Sequence, residues 1–147
     1  FVLASLGFFL SRMRFKTAML IGVLAQAFRT FVFAWGNPYV VIATIPMHGI
    51  CYAFFFAVAF IYIDTHSTRH TRGGAQQLFN ILISGFGNFA GSLLAGLAAK
   101  HLLIRGTLLI DYRAYWFVSA SAALFIAAIL AFGFREEAPA VHTNPVK

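Results

Sequence analysis

The chain has 147 residues, 61% hydrophobic and only 10% charged, with a mean hydropathy of +0.81. A soluble domain carries roughly 25% charged residues, so a water-soluble fold is excluded. The net charge of +7 is not a nucleic-acid footprint either, because the basic residues lie between apolar blocks instead of along one face.

A helix needs about 20 apolar residues to cross the hydrocarbon core. Long, unalternating apolar runs predict helices and not barrel strands. The expected fold class is therefore an all-α membrane protein with four complete transmembrane helices and a truncated one. The spans are expected at 1–10, 17–35, 39–63, 76–99 and 114–134, followed by a polar tail at 135–147. The first run lacks a basic start and a small-residue cleavage site, so it reads as the last turns of a helix and not as a signal peptide. A short basic loop follows, with Arg12, Arg14 and Lys16.

The second span clusters Gln26, Arg29 and Thr30. Arginine inside a membrane is costly, so Arg29 must face protein or snorkel toward Trp35 as a supporting polar group beside Gln26. Gly36-Asn37-Pro38 then reads as a tight turn.

The third span holds Pro46, expected to kink it, then His48 and Tyr52 four apart on one face. His48 is the one histidine well inside a span, able to relay a proton or bond a solute, or to serve only as a neutral hydrogen-bonding group. The Phe54–Phe56 run can stack on a planar ligand, though lipid contact is its default role. The single cysteine, Cys51, excludes an internal disulfide framework and reads as an ordinary buried thiol. Asp64, at the end of this span, is expected to pair with Arg69, Arg72 or the first loop as a structural or gating contact. His66 and His70 read as solvated loop residues, and no metal site is expected.

The fourth span places Asn80, Ser84 and Asn88 on one helical face. Such a stripe should face protein or an aqueous cavity, which makes Asn88 and Ser84 cavity candidates. Gly87 and Gly91, and Ser92 and Gly96, are spaced for close helix packing. Ser119, Ala123, Ala127 and Ala131 repeat that theme in the fifth span. No nucleophile–base arrangement, phosphate loop or carboxylate pair is visible, so the reading is neither an enzyme nor a cofactor protein.

Loops alternate sides of the bilayer. One side collects seven cations (Arg12, Arg14, Lys16, Arg69, Arg72, Arg135 and Lys147) and the other three (Lys100, Arg105 and Arg113). The richer side, with the C-terminus, is expected in the cytoplasm, as for a bacterial inner-membrane protein. Trp35, Tyr39, Tyr112, Tyr115 and Trp116 then suit an aromatic belt at the opposite face.

Several strings in order resemble the nucleoside:proton symporters of the major facilitator superfamily. They are Phe8-Phe9-Leu10-Ser11-Arg12, Phe28-Arg29, and Phe33-Ala34-Trp35-Gly36-Asn37-Pro38. Further on come Arg72, Ala75-Gln76, Phe79 and Gly85-Phe86-Gly87, with Gly91 and Gly96 beyond. The resemblance implies a partial major facilitator fold, from the end of helix eight through helix twelve. It implies alternating access around a central site, with a nucleoside and a proton as cargo and the missing N-terminal half as partner. The family's helix ten tends to carry a tyrosine, a phenylalanine followed by an acid, and an asparagine. His48, Tyr52, Ala53 and Phe56 stand in those places, so an aromatic is kept while the acid and the amide are not. Two other readings stay open on the residues. One is a same-fold carrier of a sugar or organic acid; the other is a non-transporting scaffold or sensor.

Overall fold

The computed structural model describes residues 13–103 and 109–135. The expected first helix, Arg12, Arg105 and the tail beyond Arg135 lie outside the described residues.

Among the described residues five helices follow one another: α1 (Phe15–Trp35), α2 (Pro38–Ala43), α3 (Met47–His66), α4 (Arg72–His101) and α5 (Tyr112–Gly133). All but α2 are long and apolar enough to cross a membrane. At 1.5 Å per residue, α1 alone reaches about 31 Å, the thickness of a hydrocarbon core. The protein is an all-α membrane protein.

The turn after α1 follows from its residues. Gly36 adopts φ +77°, where a side chain would be strained. Asn37 Oδ1 accepts from Tyr39 N at 3.0 Å and Val40 N at 3.5 Å, and Pro38 starts α2, where its missing N–H costs nothing.

The span expected at 39–63 is interrupted. Pro46 has no N–H to continue α2, and the chain turns through short bonds from Met47 N to Thr44 O and from His48 N to Ile45 O. Thr44 Oγ1 donates to Val41 O at 2.8 Å, so its hydroxyl is satisfied without water. A new helix begins at Met47, and His48 therefore lies in its first turn, beside the break and not deep within a continuous helix.

The fourth span is longer than expected at both ends, so its connection to α3 shrinks to residues 67–71. Thr68 and Thr71 bond each other across this turn, with hydroxyl oxygens 2.8 Å apart. Glycine costs roughly 0.5–1 kcal/mol in a helix, yet Gly73 and Gly74 are helical, just after an Arg72 anchored to Asp64.

Two of the long helices contain a wide, π-helical turn, at Tyr52–Ala57 in α3 and Ile81–Gly87 in α4. Gly22 of α1 presses against the first of them. A Cβ on Gly22 would meet Phe55 N at 2.8 Å and the Phe54 carbonyl carbon at 2.9 Å.

The core forms around this approach. Ala18 and Met19 of α1 pack on Ala53, Phe54, Val58 and Ala59 of α3, all buried. Along its other side α1 runs against α5, where Ala120 and Ala127 are buried. Helix α1 is thus held between α3 and α5. Helix α4 joins the group near its start, where Phe79 meets Phe60 edge to face at 5.1 Å.

Candidate functional site

A groove of about 310 Å³ opens between α1, α3 and α5. Its walls carry Gln26 from α1, His48, Cys51, Tyr52, Phe55 and Phe56 from α3, and Ala123 and Ile126 from α5. The helical periodicity explains the set. His48, Tyr52, Phe55 and Phe56 recur at four- and three-residue steps, and Gly22 and Gln26 at a four-residue step on the facing helix.

The groove is mostly apolar, with a few uncommitted polar ends. The Gln26 side-chain amide, the His48 ring and the Tyr52 hydroxyl make no hydrogen bond among the described residues, and all three border the opening. The Tyr52 ring lies 5.5 Å from that of Phe56, tilted by 37°, and Phe55 meets Phe56 edge to face at 5.3 Å. Planar faces beside free donors and acceptors form a surface suited to a flat, polar-edged molecule.

Arg29 does not line the groove. Its guanidinium carbon sits 5.2 Å from the centre of the Phe33 ring, toward the Trp35 end of α1. Its Nε is buried without a hydrogen-bond partner among the described residues. A cation over an aromatic face recovers part of the cost of leaving water. Phe33 is in turn held edge to face by Trp116 of α5 at 5.0 Å.

Asn88 and Ser84 are placed elsewhere, on exposed faces of α4. Ser84 Oγ donates to Asn80 Oδ1 and Asn88 Nδ2 to Ser84 O, each at 3.0 Å, so the stripe satisfies itself along one helix. The residues expected to pack, Gly87, Gly91, Ser92 and Gly96, are also exposed. Gly91 and Gly96 have open space where a Cβ would stand. Among the described residues no helix covers that face.

At the far end of α3, Asp64 Oδ1 takes Arg72 Nε at 2.8 Å and Gln76 Nε2 at 3.2 Å. Arg72 is thus the partner, and Arg69, Arg14 and Lys16 make no ion pair among the described residues. His66 is engaged locally, with Nδ1 2.9 Å from Tyr62 O and its ring stacked on Tyr62.

Ala53, where the resemblance places an acid, is fully buried against α1 and not in the groove. A carboxylate there would be stranded in an apolar core, which suits alanine at this position. Phe56, where an amide is expected, faces the groove. Gly22, Val23 and Ile126 are the groove residues that residue patterns do not single out, while Ala123 is expected only as part of a packing face. Gly22 lies one turn before Gln26 on the same face, which was the available signal.

Helices of membrane-crossing length around a polar-edged groove define an integral membrane protein. The chain belongs to the Nucleoside H+ symporter family, which it matches over residues 1–139. It is 32% identical over 133 residues to the xanthosine permease of Escherichia coli (strain K12), covering 87% of this chain and 31% of that one. It is 26% identical over 132 residues to the nucleoside permease NupG of Escherichia coli (strain K12) and of Shigella flexneri, covering 86% of this chain and 30% of each. The chain thus spans about a third of the length of the curated relatives it matches. No solved structure matches it.

Proposed function

We propose that this chain supplies one wall of the solute site in a proton-coupled nucleoside carrier that works by alternating access. The observation that carries the reading is the groove in which Gln26, His48 and Tyr52 present unbonded polar ends beside the Tyr52 and Phe56 rings. A nucleobase is flat, with donors and acceptors around its edge. Its face would lie on Tyr52, and its edge would bond the Gln26 amide and the His48 imidazole. His48 carries the one imidazole that lines this groove, so it is the group to couple proton and solute. The helices that this third of a carrier does not include would close the groove from the other side, and the exposed α4 face with Asn88 and Ser84 is where they would dock. The excess of cations on the Arg14, Lys16, Arg69 and Arg72 side supports a cytoplasmic C-terminus in a bacterial inner membrane.

The test is uptake of labelled uridine and adenosine by the intact carrier, in cells without their own nucleoside carriers. Saturable uptake that an uncoupler abolishes is the expected result. Stacking on an aromatic ring is worth about 1–3 kcal/mol per base, so Tyr52→Ala should raise KM roughly tenfold. His48→Gln should leave binding in place and remove accumulation against a gradient. Absence of uptake by protein that reaches the membrane, or competition by sugars or organic acids instead of nucleosides, defeats the assignment.

A further inference from the structure

A second groove follows the outer seam between α1 and α5, away from the solute groove. The two helices run side by side in opposite directions along it. Trp35 and Arg113 border one end of the seam with Phe31 and Phe117, and Leu24 and Leu124 border the other. Phe31 and Phe117 meet edge to face at 5.5 Å. The seam holds a space of about 130 Å³ at its Arg113 end and another of about 240 Å³ beyond it, with Phe31 bordering both. Ala27 and Ala120, both buried, form the floor of the second, and its walls are apolar throughout.

The length is informative. From Trp35 to Leu24 the seam runs about 16 Å at 1.5 Å per residue. That is about half of the roughly 30 Å hydrocarbon core, the depth of a single leaflet. The head end lies at the interface, where Trp35, Tyr39 and Tyr112 are exposed. Arg113 stands there as an exposed guanidinium with no ion pair or hydrogen bond among the described residues. A channel one leaflet deep, apolar along its length and capped by a cation at the headgroup level, has the chemistry of one lipid molecule.

We propose that the α1–α5 seam binds an anionic phospholipid of the leaflet at the Trp35 end, its phosphate on Arg113 and one acyl chain in the channel. Guanidinium pairs with phosphate through parallel N–H donors, and the pair strengthens where water is scarce. A protein helix is a poorer occupant, because helices approach closely through small residues, whereas the rims here are exposed Leu24, Phe28, Phe31 and Leu124. The proposal does not depend on the solute assignment, because neither Arg113 nor the channel touches the solute groove.

The test uses the full chain in phosphatidylcholine vesicles, with Trp116→Phe so that Trp35 is the remaining tryptophan. Phosphatidylglycerol or phosphatidylcholine with brominated chains is added over the same series of mole fractions, and quenching of Trp35 is read. The anionic lipid should quench at a several-fold lower mole fraction. Arg113→Gln should erase that preference, Arg113→Lys should keep part of it, and Lys100→Gln on the same side should leave it unchanged. High salt should narrow the difference. Equal quenching by both lipids, or a preference that survives Arg113→Gln, overturns the proposal. So does a preference lost equally in Lys100→Gln, which would mean general surface charge.

Discussion

Gly22 is the residue on which the solute groove turns. Its missing side chain lets α1 touch the peptide between Phe54 and Phe55, and that contact sets the distance from Gln26 to His48 across the opening. An added methyl must push the two helices apart, since it meets Phe55 N, the Phe54 carbonyl carbon and Phe55 Cβ, none of which can rotate away. Gly22→Ala should therefore destabilise the chain by about 1–3 kcal/mol, read by unfolding in a denaturing detergent titration. Gly49→Ala is the control, with open space at its Cβ position and a helix-propensity gain of roughly 0.5–1 kcal/mol expected. The polar residues of this site were legible in the sequence, because Gln26, His48 and Tyr52 interrupt apolar runs and must be accounted for. Gly22 was not, because a glycine in a membrane span has no side chain whose partner must be found, and its meaning lies in what comes near it.

At the scale of elements, apolar run length located the membrane helices, while their ends and interruptions depended on local bonding. The break before Met47 was legible as Pro46, but not its extent, because Thr44 closes the turn with its own hydroxyl. The early start of α4 came from a tertiary bond, the ion pair of Arg72 with Asp64, that helix propensity does not report. That pair is half exposed, and such pairs contribute about 0–1 kcal/mol. It should act on geometry more than on stability. Asp64→Ala is expected to change unfolding by under about 1 kcal/mol. It should also broaden the distance distribution between spin labels at Thr65 and Gln77. An unaltered distribution would mean that the Phe60–Phe79 contact alone sets the angle between α3 and α4.

At the scale of the molecule, burial is uneven. Helix α1 is packed on two sides, whereas no residue of α4 is buried. The same helix carries the Gly87, Gly91 and Gly96 face, for which small-residue spacing led us to expect a helical neighbour. The spacing sets how closely a neighbour can come, while the identity of that neighbour is written in the neighbour's own residues. If a longer protein supplies that neighbour, a nitroxide label on Ser92→Cys in a Cys51→Ser background should be relaxed readily by lipid-dissolved oxygen in the 147-residue chain. In the longer protein the same label should be several-fold less accessible to oxygen. Equal accessibility in both would leave the α4 face open to lipid and remove it as the docking surface.

The wide turns at Tyr52–Ala57 and Ile81–Gly87 have a consequence for how such chains can change length. A π-helical turn closes over one more residue than an α-turn. Losing one residue from within it can restore a regular helix while the faces above and below keep their directions. A residue lost anywhere else in α3 or α4 turns everything beyond it by about 100°, the angular step of a helix with 3.6 residues per turn. These two places are therefore where descendants of this sequence can each lose a single codon without turning the groove inside out.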